Sequence, residues 1–411
     1  MASSRRRPWA SLLIVAAVAL ASCSSAATGQ PASTGPATTS RLAQPPGSTP
    51  LPTKDNELSD ITCASPTSCM AVGVIGEGRN ALGPDTETLI EEDSDGAWRV
   101  VPSPNAPNEA GSALKGVTCL SPRDCIAVGY SVSSASIPKT LIEQNFGTGW
   151  TIVPSPNSSA FEGIGRLSQV ACATPAHCVA VGSYESENGH SQTLIEENTG
   201  QGWTVVPSAN TSPAEDNLLA GVTCAGPSLC VAVGSHGSDL PLIEQNTGSG
   251  WSVMPASGVG ALSGAACPSP HFCVATGGHF SFSDQAITEQ PLIEEMTEGT
   301  WAAVAVPHGG GTLGGVACPT PTYCISVGNL MPFGLSAGSP LLAERTSTGW
   351  ALAITSDFGN QTQSFGAVAC AEANRCIAVG DQLVGPYPGV RITFIAQHTN
   401  QGWTIQASPN V

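Results

Sequence analysis

The chain has 411 residues, with 46 glycines, 33 prolines, 11% charged and 5% aromatic side chains, a composition of many short strands joined by turns. Its formal charge is −17; an acidic surface repels phosphate backbones, which argues against nucleic acid as a partner, and simple solubility is the plainer reading of that charge. Length alone fits two or three ordinary domains or one large repetitive one, so repetition has to decide.

The N-terminus opens with Arg5-Arg6-Arg7, continues through an apolar run from Leu12 to Leu20 and ends in Leu20-Ala21-Ser22-Cys23. A basic segment, a short apolar segment and small residues before a cleavage point describe a secretory signal over 1–22. The apolar run is too short to span a bilayer, which needs about 20 residues. The last four residues resemble the lipobox of bacterial lipoproteins, which implies that Cys23 is acylated and becomes the mature N-terminus; plain secretion with an unrelated cysteine is the alternative. Residues 23–56 are Ser, Thr, Pro, Ala and Gly with almost no large apolar side chains, a tether that cannot bury enough surface to offset its ordering entropy.

From residue 57 to 411 a unit of about 50 residues recurs seven times. Its frame is Leu-x-x-Val-x-Cys, five residues, Cys-x-Ala-Val-Gly, a variable loop, Thr-Leu-Ile-Glu, a polar turn, Gly-Trp and a β-branched run into Pro-Ser-Pro-Asn. Each unit holds four runs rich in Val, Ile, Leu and Thr separated by turn residues, and the mature chain lacks sustained 3.6-residue apolar periodicity. Seven units of four strands predict an all-β fold, a seven-bladed β-propeller of four-stranded antiparallel blades. An open β-solenoid is the main alternative. The ring could close in frame, or its last blade could borrow a strand from 44–57.

The order Leu-x-x-Val-x-Cys, Ala-Val-Gly, Leu-Ile-Glu, Gly-x-Gly-Trp resembles the repeat of Asp-box (BNR) propellers, the sialidase-like group that includes photosystem II assembly factors. In that family Ser-x-Asp-x-Gly-x-x-Trp joins the third and fourth strands of a blade. The nearest match is Asp93-Ser94-Asp95-Gly96-Ala97-Trp98, whereas Asn198-Thr199-Gly200-Gln201-Gly202-Trp203 has no aspartate. The units also resemble those of actinobacterial secreted repeat proteins, over about 57–411.

Fourteen cysteines pair by spacing as Cys63/Cys69, Cys119/Cys125, Cys172/Cys178, Cys224/Cys230, Cys267/Cys273, Cys318/Cys324 and Cys370/Cys376, leaving Cys23 for lipid. In an oxidising compartment disulfides across tight hairpins are the expectation. Zinc is the rival reading, but His177 or His271 lies nearby in only some copies, without regular ligand spacing; neither metal nor cofactor is expected. Trp98, Trp150, Trp203, Trp251, Trp301, Trp350 and Trp403 read as packing wedges between blades. A glutamate seven residues before the tryptophan recurs at Glu91, Glu143, Glu196, Glu244 and Glu294 but is Ala343 and Ala396 in the last two copies. That recurrence suggests structural pairing or surface solvation.

Sialidase-like enzymes on this fold use an arginine cluster, a Tyr/Glu pair and an acid/base aspartate, and the mature chain supplies too few spare arginines for that set. The segment before each first cysteine is expected to line the central channel, where Asp60, Gly116, Gln169, Gly221, Gly264, Gly315 and Ala367 are mostly small. Ligand contacts are expected from the variable loops, which share one face. The candidates are His279, Phe280, Phe282 and Asp284 in repeat five, Phe333 in repeat six, and Asp381, Tyr387 and Arg391 in repeat seven. The sequence therefore describes a monomeric, non-catalytic binding or scaffolding propeller, lipid-anchored on the extracytoplasmic face of the cell membrane, with an envelope protein or glycan as partner. A glycan-active hydrolase is the alternative function, and a spacer without a defined ligand is a third.

Overall fold

The computed structural model describes residues 52–76, 85–156, 164–283, 286–306, 310–330, 338–354, 358, 362–385 and 389–411. Cys23, Asp284, Phe333 and Tyr387 lie outside these. Among the described residues the chain forms seven four-stranded antiparallel sheets and no α-helix.

In blade 1 the strands are β1 (Asp55–Ser65), β2 (Ser68–Gly76), β3 (Glu87–Ser94) and β4 (Ala97–Val100), paired in sequence order. Blades 2 to 6 repeat this over 111–153, 165–206, 217–254, 261–303 and 312–354. Blade 7 holds β25 (Thr362–Glu372), β26 (Arg375–Val384), β27 (Val390–Thr399) and β28 (Gly402–Gln406). The first strands of successive blades touch all the way round, β25 meeting β1, so the segments before the first cysteines do surround the axis.

Small residues there are a steric requirement. A Cβ on Gly264 would lie 2.6 Å from the Gly314 carbonyl oxygen, and one on Gly315 would lie 2.8 Å from the Ala367 Cα. Only Asp60, Lys115 and Gln169 give that region long polar side chains among its lining residues. The glycine of Ala-Val-Gly has a different cause. Each inner strand carries a register shift, between Leu58 and Asp60 in blade 1, and a Cβ on the facing Gly73 would strike the Glu57 carbonyl oxygen.

All seven cysteine pairs are disulfides, each joining the first two strands of its blade with Cα atoms 4.0–4.1 Å apart. In five blades the hairpin itself aligns the partners: Cys63 faces Cys69, Cys119 faces Cys125, Cys172 faces Cys178, Cys224 faces Cys230 and Cys370 faces Cys376. In blades 5 and 6 the first cysteine is followed by Pro268 or Pro319, which has no N–H for the ladder. The register shifts there, between Ala266 and Ser269 and between Ala317 and Thr320, and Cys267–Cys273 and Cys318–Cys324 bridge the irregular stretch.

The expected staple across the hairpin is present in every blade, and its second sulfur also reaches beyond that hairpin. The second cysteines, Cys69, Cys125, Cys178, Cys230, Cys273, Cys324 and Cys376, are only 0–3% exposed. Each packs in the apolar seam with the preceding blade, beside the repeat tryptophan, as Cys125 does on Met70, Val72 and Ile90 of blade 1. The first cysteines of the pairs lie at the edge of the same seams, half-buried. Directly paired residues of two strands share one face of the sheet, and this face is the one turned toward the neighbouring blade. Oxidised and packed in the seams, these sulfurs serve the core.

The seams between blades hold the apolar core, and each contains one repeat tryptophan donated by the following blade. Trp150, for example, packs on Met70, Val72 and Ile90 of blade 1, and Trp98 packs on Ile377, Val379 and Ile395 of blade 7. The wedge expectation is met in all seven seams.

The ring closes in frame, since every sheet is built from one contiguous repeat. Asn56 Nδ2 donates to the Val411 carbonyl at 3.1 Å, and Val411 N donates to Asn56 Oδ1 at 3.2 Å. β1 begins two residues upstream of the expected start at 57.

Candidate functional site

The repeated glutamates resolve first, because they are the most numerous buried charges. Glu91, Glu143, Glu196, Glu244 and Glu294 are wholly buried. Each accepts hydrogen bonds from the Pro-Ser segment that ends the preceding blade. Ser103 Oγ reaches Glu143 at 2.9 Å, Ser155 reaches both oxygens of Glu196 at 3.0 Å, and Ser208 reaches Glu244 at 2.9 Å. The Ser257 and Gly258 amides do the same for Glu294, and Ser408 reaches back to Glu91 at 3.0 Å across the closing seam.

The Thr of Thr-Leu-Ile-Glu and the Asn of Pro-Ser-x-Asn complete this clasp within one blade. Thr193 N donates to Asn210 Oδ1 at 3.0 Å, and Thr88 N donates to Asn105 Oδ1 at 2.9 Å. Desolvation pushes the Glu91 carboxyl up to about 7 and those of Glu143 and Glu196 up to about 8, while the serine hydroxyl bonds pull the other way. Of the two readings open for these residues, structural pairing is the one the geometry supports.

The polar turn between third and fourth strands shows why the aspartate of the Asp-box pattern is dispensable. Asp93 Oδ1 accepts from Gly96 N at 2.8 Å, and the side chains of Asn145, Asn198 and Asn246 accept from the glycine two residues on at 2.8–2.9 Å. An amide oxygen does the carboxylate's work in this turn.

The residues nominated from sequence fall into two separate groups. His279 and Phe280 lie on the long hairpin of blade 5, made of β18 (Phe272–Ser283) and β19 (Ala286–Thr297). His279 Nδ1 is 3.0 Å from Asp239 Oδ2 of blade 4, and Phe280 is exposed. Phe282 pairs through its backbone with Ile287 near the hairpin tip.

Asp381 and Arg391 meet on blade 7, far along the chain from that hairpin. Asp381 accepts from Ser364 Oγ at 2.6 Å and pairs with the Arg391 guanidinium. Arg391 also lies 3.3 Å from Glu57, and its backbone N–H donates to Asp55 Oδ1 at 2.8 Å. Burial and the nearby Asp381 raise the Glu57 carboxyl, with Arg391 and Lys115 opposing. These charges tie blade 7 to blade 1 at the point where the ring closes.

Concave surface appears on both faces. On the face of the variable loops, a pocket of about 300 Å³ beside Arg166 and Tyr184 lies between blades 2 and 3, and one of about 320 Å³ beside Lys54 and Glu109 lies between blades 1 and 2. The opposite face, formed by the disulfide hairpins and the Gly-Trp turns, carries a cleft of about 610 Å³ between blades 2 and 3. Its blade 2 wall includes Leu120, Asp124, Gln144 and Phe146, and its blade 3 wall includes Asn198 and Trp203. Phe146 is 61% exposed and Leu120 38%.

No sequence expectation pointed to this cleft, although the signal was present. The position of Phe146 is Ser94, Thr199, Thr247, Thr297, Thr346 or Thr399 in the other repeats, and that of Leu120 is Ala64, Ala173, Ala225, Pro268, Pro319 or Ala371. Variation was sought in loops of unequal length, and these substitutions sit inside turns of constant length.

No family model matches the chain, and no curated protein matches it. Among solved structures it is similar to YCF48 bound to D1 peptide (TM-score 0.48, 12% identity, covering 80% of this chain and 91% of that one). It is similar also to an Aleuria aurantia lectin (0.40, 13%, 86% and 96%) and to Sqt1 from Chaetomium thermophilum (0.49, 13%, 87% and 84%). Identities and scores this low add nothing on function; the propeller itself is read from the strand order and the closed ring of first strands.

Proposed function

We propose that the protein is a non-catalytic binding or scaffolding propeller, held by acyl chains on Cys23 at the extracytoplasmic face of the cell membrane. One observation supports binding above the rest. The repeat is broken at Leu120 and Phe146 of one blade, and both line the cleft between blades 2 and 3. A pure spacer would have no use for an exposed phenylalanine where six sister turns carry a hydroxyl. The numerous buried carboxylates, by contrast, are occupied in joining blade to blade.

The anchor and the binding are tested separately. Labelled fatty acid is expected on the full-length chain and is expected to vanish with Cys23→Ala, together with retention in the membrane fraction; membrane retention of the alanine variant defeats the anchor. The immobilised full chain is expected to retain one defined glycan or protein from solubilised envelope, and recovery of neither counts against a binding role.

A further inference from the structure

Resting on that reading, we propose that the cleft between blades 2 and 3 on the disulfide-hairpin face is a carbohydrate site that accepts a neutral sugar ring. At about 610 Å³ it lies within the range of small-ligand sites, roughly 300–1,000 Å³. What it offers on each side sets the class of ligand.

The blade 2 wall presents the Phe146 ring and the Leu120 side chain, an apolar surface against which the C–H face of a pyranose can lie. The negative face of an aromatic ring attracts C–H groups as well as sheltering them from water. The same blade supplies Asp124, whose position is Ser68, His177, Leu229, Phe272, Tyr323 or Arg375 elsewhere. An ionised carboxylate only accepts hydrogen bonds, and it is matched to ligand hydroxyls that donate.

Blade 3 supplies donors, and two sister seams show how such donors are met where an acceptor stands opposite. In blade 4, Trp251 Nε1 donates to Glu197 Oε1 of blade 3 at 2.8 Å, and Asn246 Nδ2 approaches the same oxygen at 3.4 Å. In blade 6, Trp350 Nε1 and Arg345 Nε both donate to Glu295 Oε1 of blade 5 at 2.7 Å. In blade 3 the corresponding donors are Trp203 and Asn198, but the preceding blade offers Gln144 in place of the glutamate. The Trp203 indole N–H is left without an acceptor, although the residue is only 8% exposed. A buried donor without a partner is destabilising, and a ligand oxygen brought to it would relieve that. Trp150 and Trp301 also have unpartnered N–H groups, so the orphan donor alone does not make the site. Its coincidence with the cleft, with the two blade 2 departures and with Asp124 does.

Two alternatives fit less well. An extended peptide is usually held by main-chain bonds to an open strand edge, and these walls are hairpin and turn tips. An acidic sugar would face Asp124 and a protein of net charge −17.

The test titrates the full chain with a panel of neutral mono- to tetrasaccharides of hexoses, N-acetylhexosamines and pentoses, with uronic-acid and sialic-acid oligosaccharides as the charged arm. A third arm uses extended peptides bearing Leu, Phe or Trp. Phe146→Thr with Leu120→Ala restores the residues found in sister repeats and is expected to fold with unchanged melting temperature. At least one neutral sugar is expected to bind, and that double variant and Asp124→Ala are each expected to weaken it tenfold or more. Absence of neutral-sugar binding by the wild type, equal binding by the double variant, or preference for the charged arm overturns the proposal. Peptide binding lost with Phe146, without sugar binding, overturns the sugar assignment while leaving a binding role intact; no binding in any arm together with nothing retained from solubilised envelope would sink both.

Discussion

At the scale of single residues, the five buried glutamates show how much a recurring side chain can mean beyond its own blade. Their folded-state carboxyls lie above the ordinary value of 4.5 at Glu91, Glu143, Glu196 and Glu244, chiefly through desolvation. A raised carboxyl contributes stability that is fully present below about 4.5 and lost as pH rises through the folded values of about 7 and about 8. Thermal unfolding of the full chain should therefore show a midpoint that falls by several degrees from mildly acidic to mildly alkaline buffer. Glu196→Gln keeps an oxygen for Ser155 but cannot ionise, so it should flatten part of that dependence; an unchanged slope would rule out Glu196 as a contributor. The glutamate's periodicity was plain in the sequence, but its partner was not. Ser155 and Glu196 are 41 residues apart in different repeats, and only the packing of one blade on the next puts the end of one unit against the third strand of its neighbour.

At the scale of elements, the cysteine and tryptophan positions were legible because both act within a fixed frame, a hairpin or the contact with the preceding blade. That the second sulfur of each pair also belongs to that contact was not legible, since spacing along one chain carries no information about the neighbouring sheet. The seams themselves differ in ways the frame hides. Those before blades 6 and 7 have alanine, at Ala343 and Ala396, where the others have the clasp glutamate. The first uses the half-buried Arg345 and Glu295 pair, with nitrogen to oxygen distances of 2.7 and 3.2 Å. The second uses aromatics: Phe358 sits 5.4 Å from Phe365 and 5.7 Å from Phe394, edge to face. Each hairpin disulfide closes a loop of about seven residues, which in the chain-entropy model stabilises by about 2 kcal/mol. Replacing Cys172 and Cys178 together by alanine should lower the unfolding free energy by at least that much, read from denaturant titration, while leaving the far-ultraviolet circular dichroism of the sheets in place; loss of the whole sheet signal would mean that one staple controls the entire ring.

At the scale of the whole molecule, what the sequence left open was how seven units become one object, and the answer lies in a few side chains at the chain ends. Repetition established the number of blades but could not say whether a strand is exchanged, because both arrangements use the same residues. The closing contact has a counterpart inside the chain: Thr211 N donates to Asn217 Oδ1 at 3.0 Å at the junction of blades 3 and 4, as Val411 N does to Asn56 Oδ1 at 3.2 Å. The last residue of the final repeat thus occupies the place that a continuous backbone occupies elsewhere. A circular permutant that joins Val411 to Asp55 by a short linker and opens between blades 3 and 4 should therefore fold, with cooperative unfolding and all seven disulfides formed; a permutant that aggregates or melts in two steps would show that the order of synthesis matters to closure. If it folds, the break between the first and last strands belongs to the order of the repeats along the chain and not to the ring, and repeats could be dealt in a different starting order without the finished disc recording which came first.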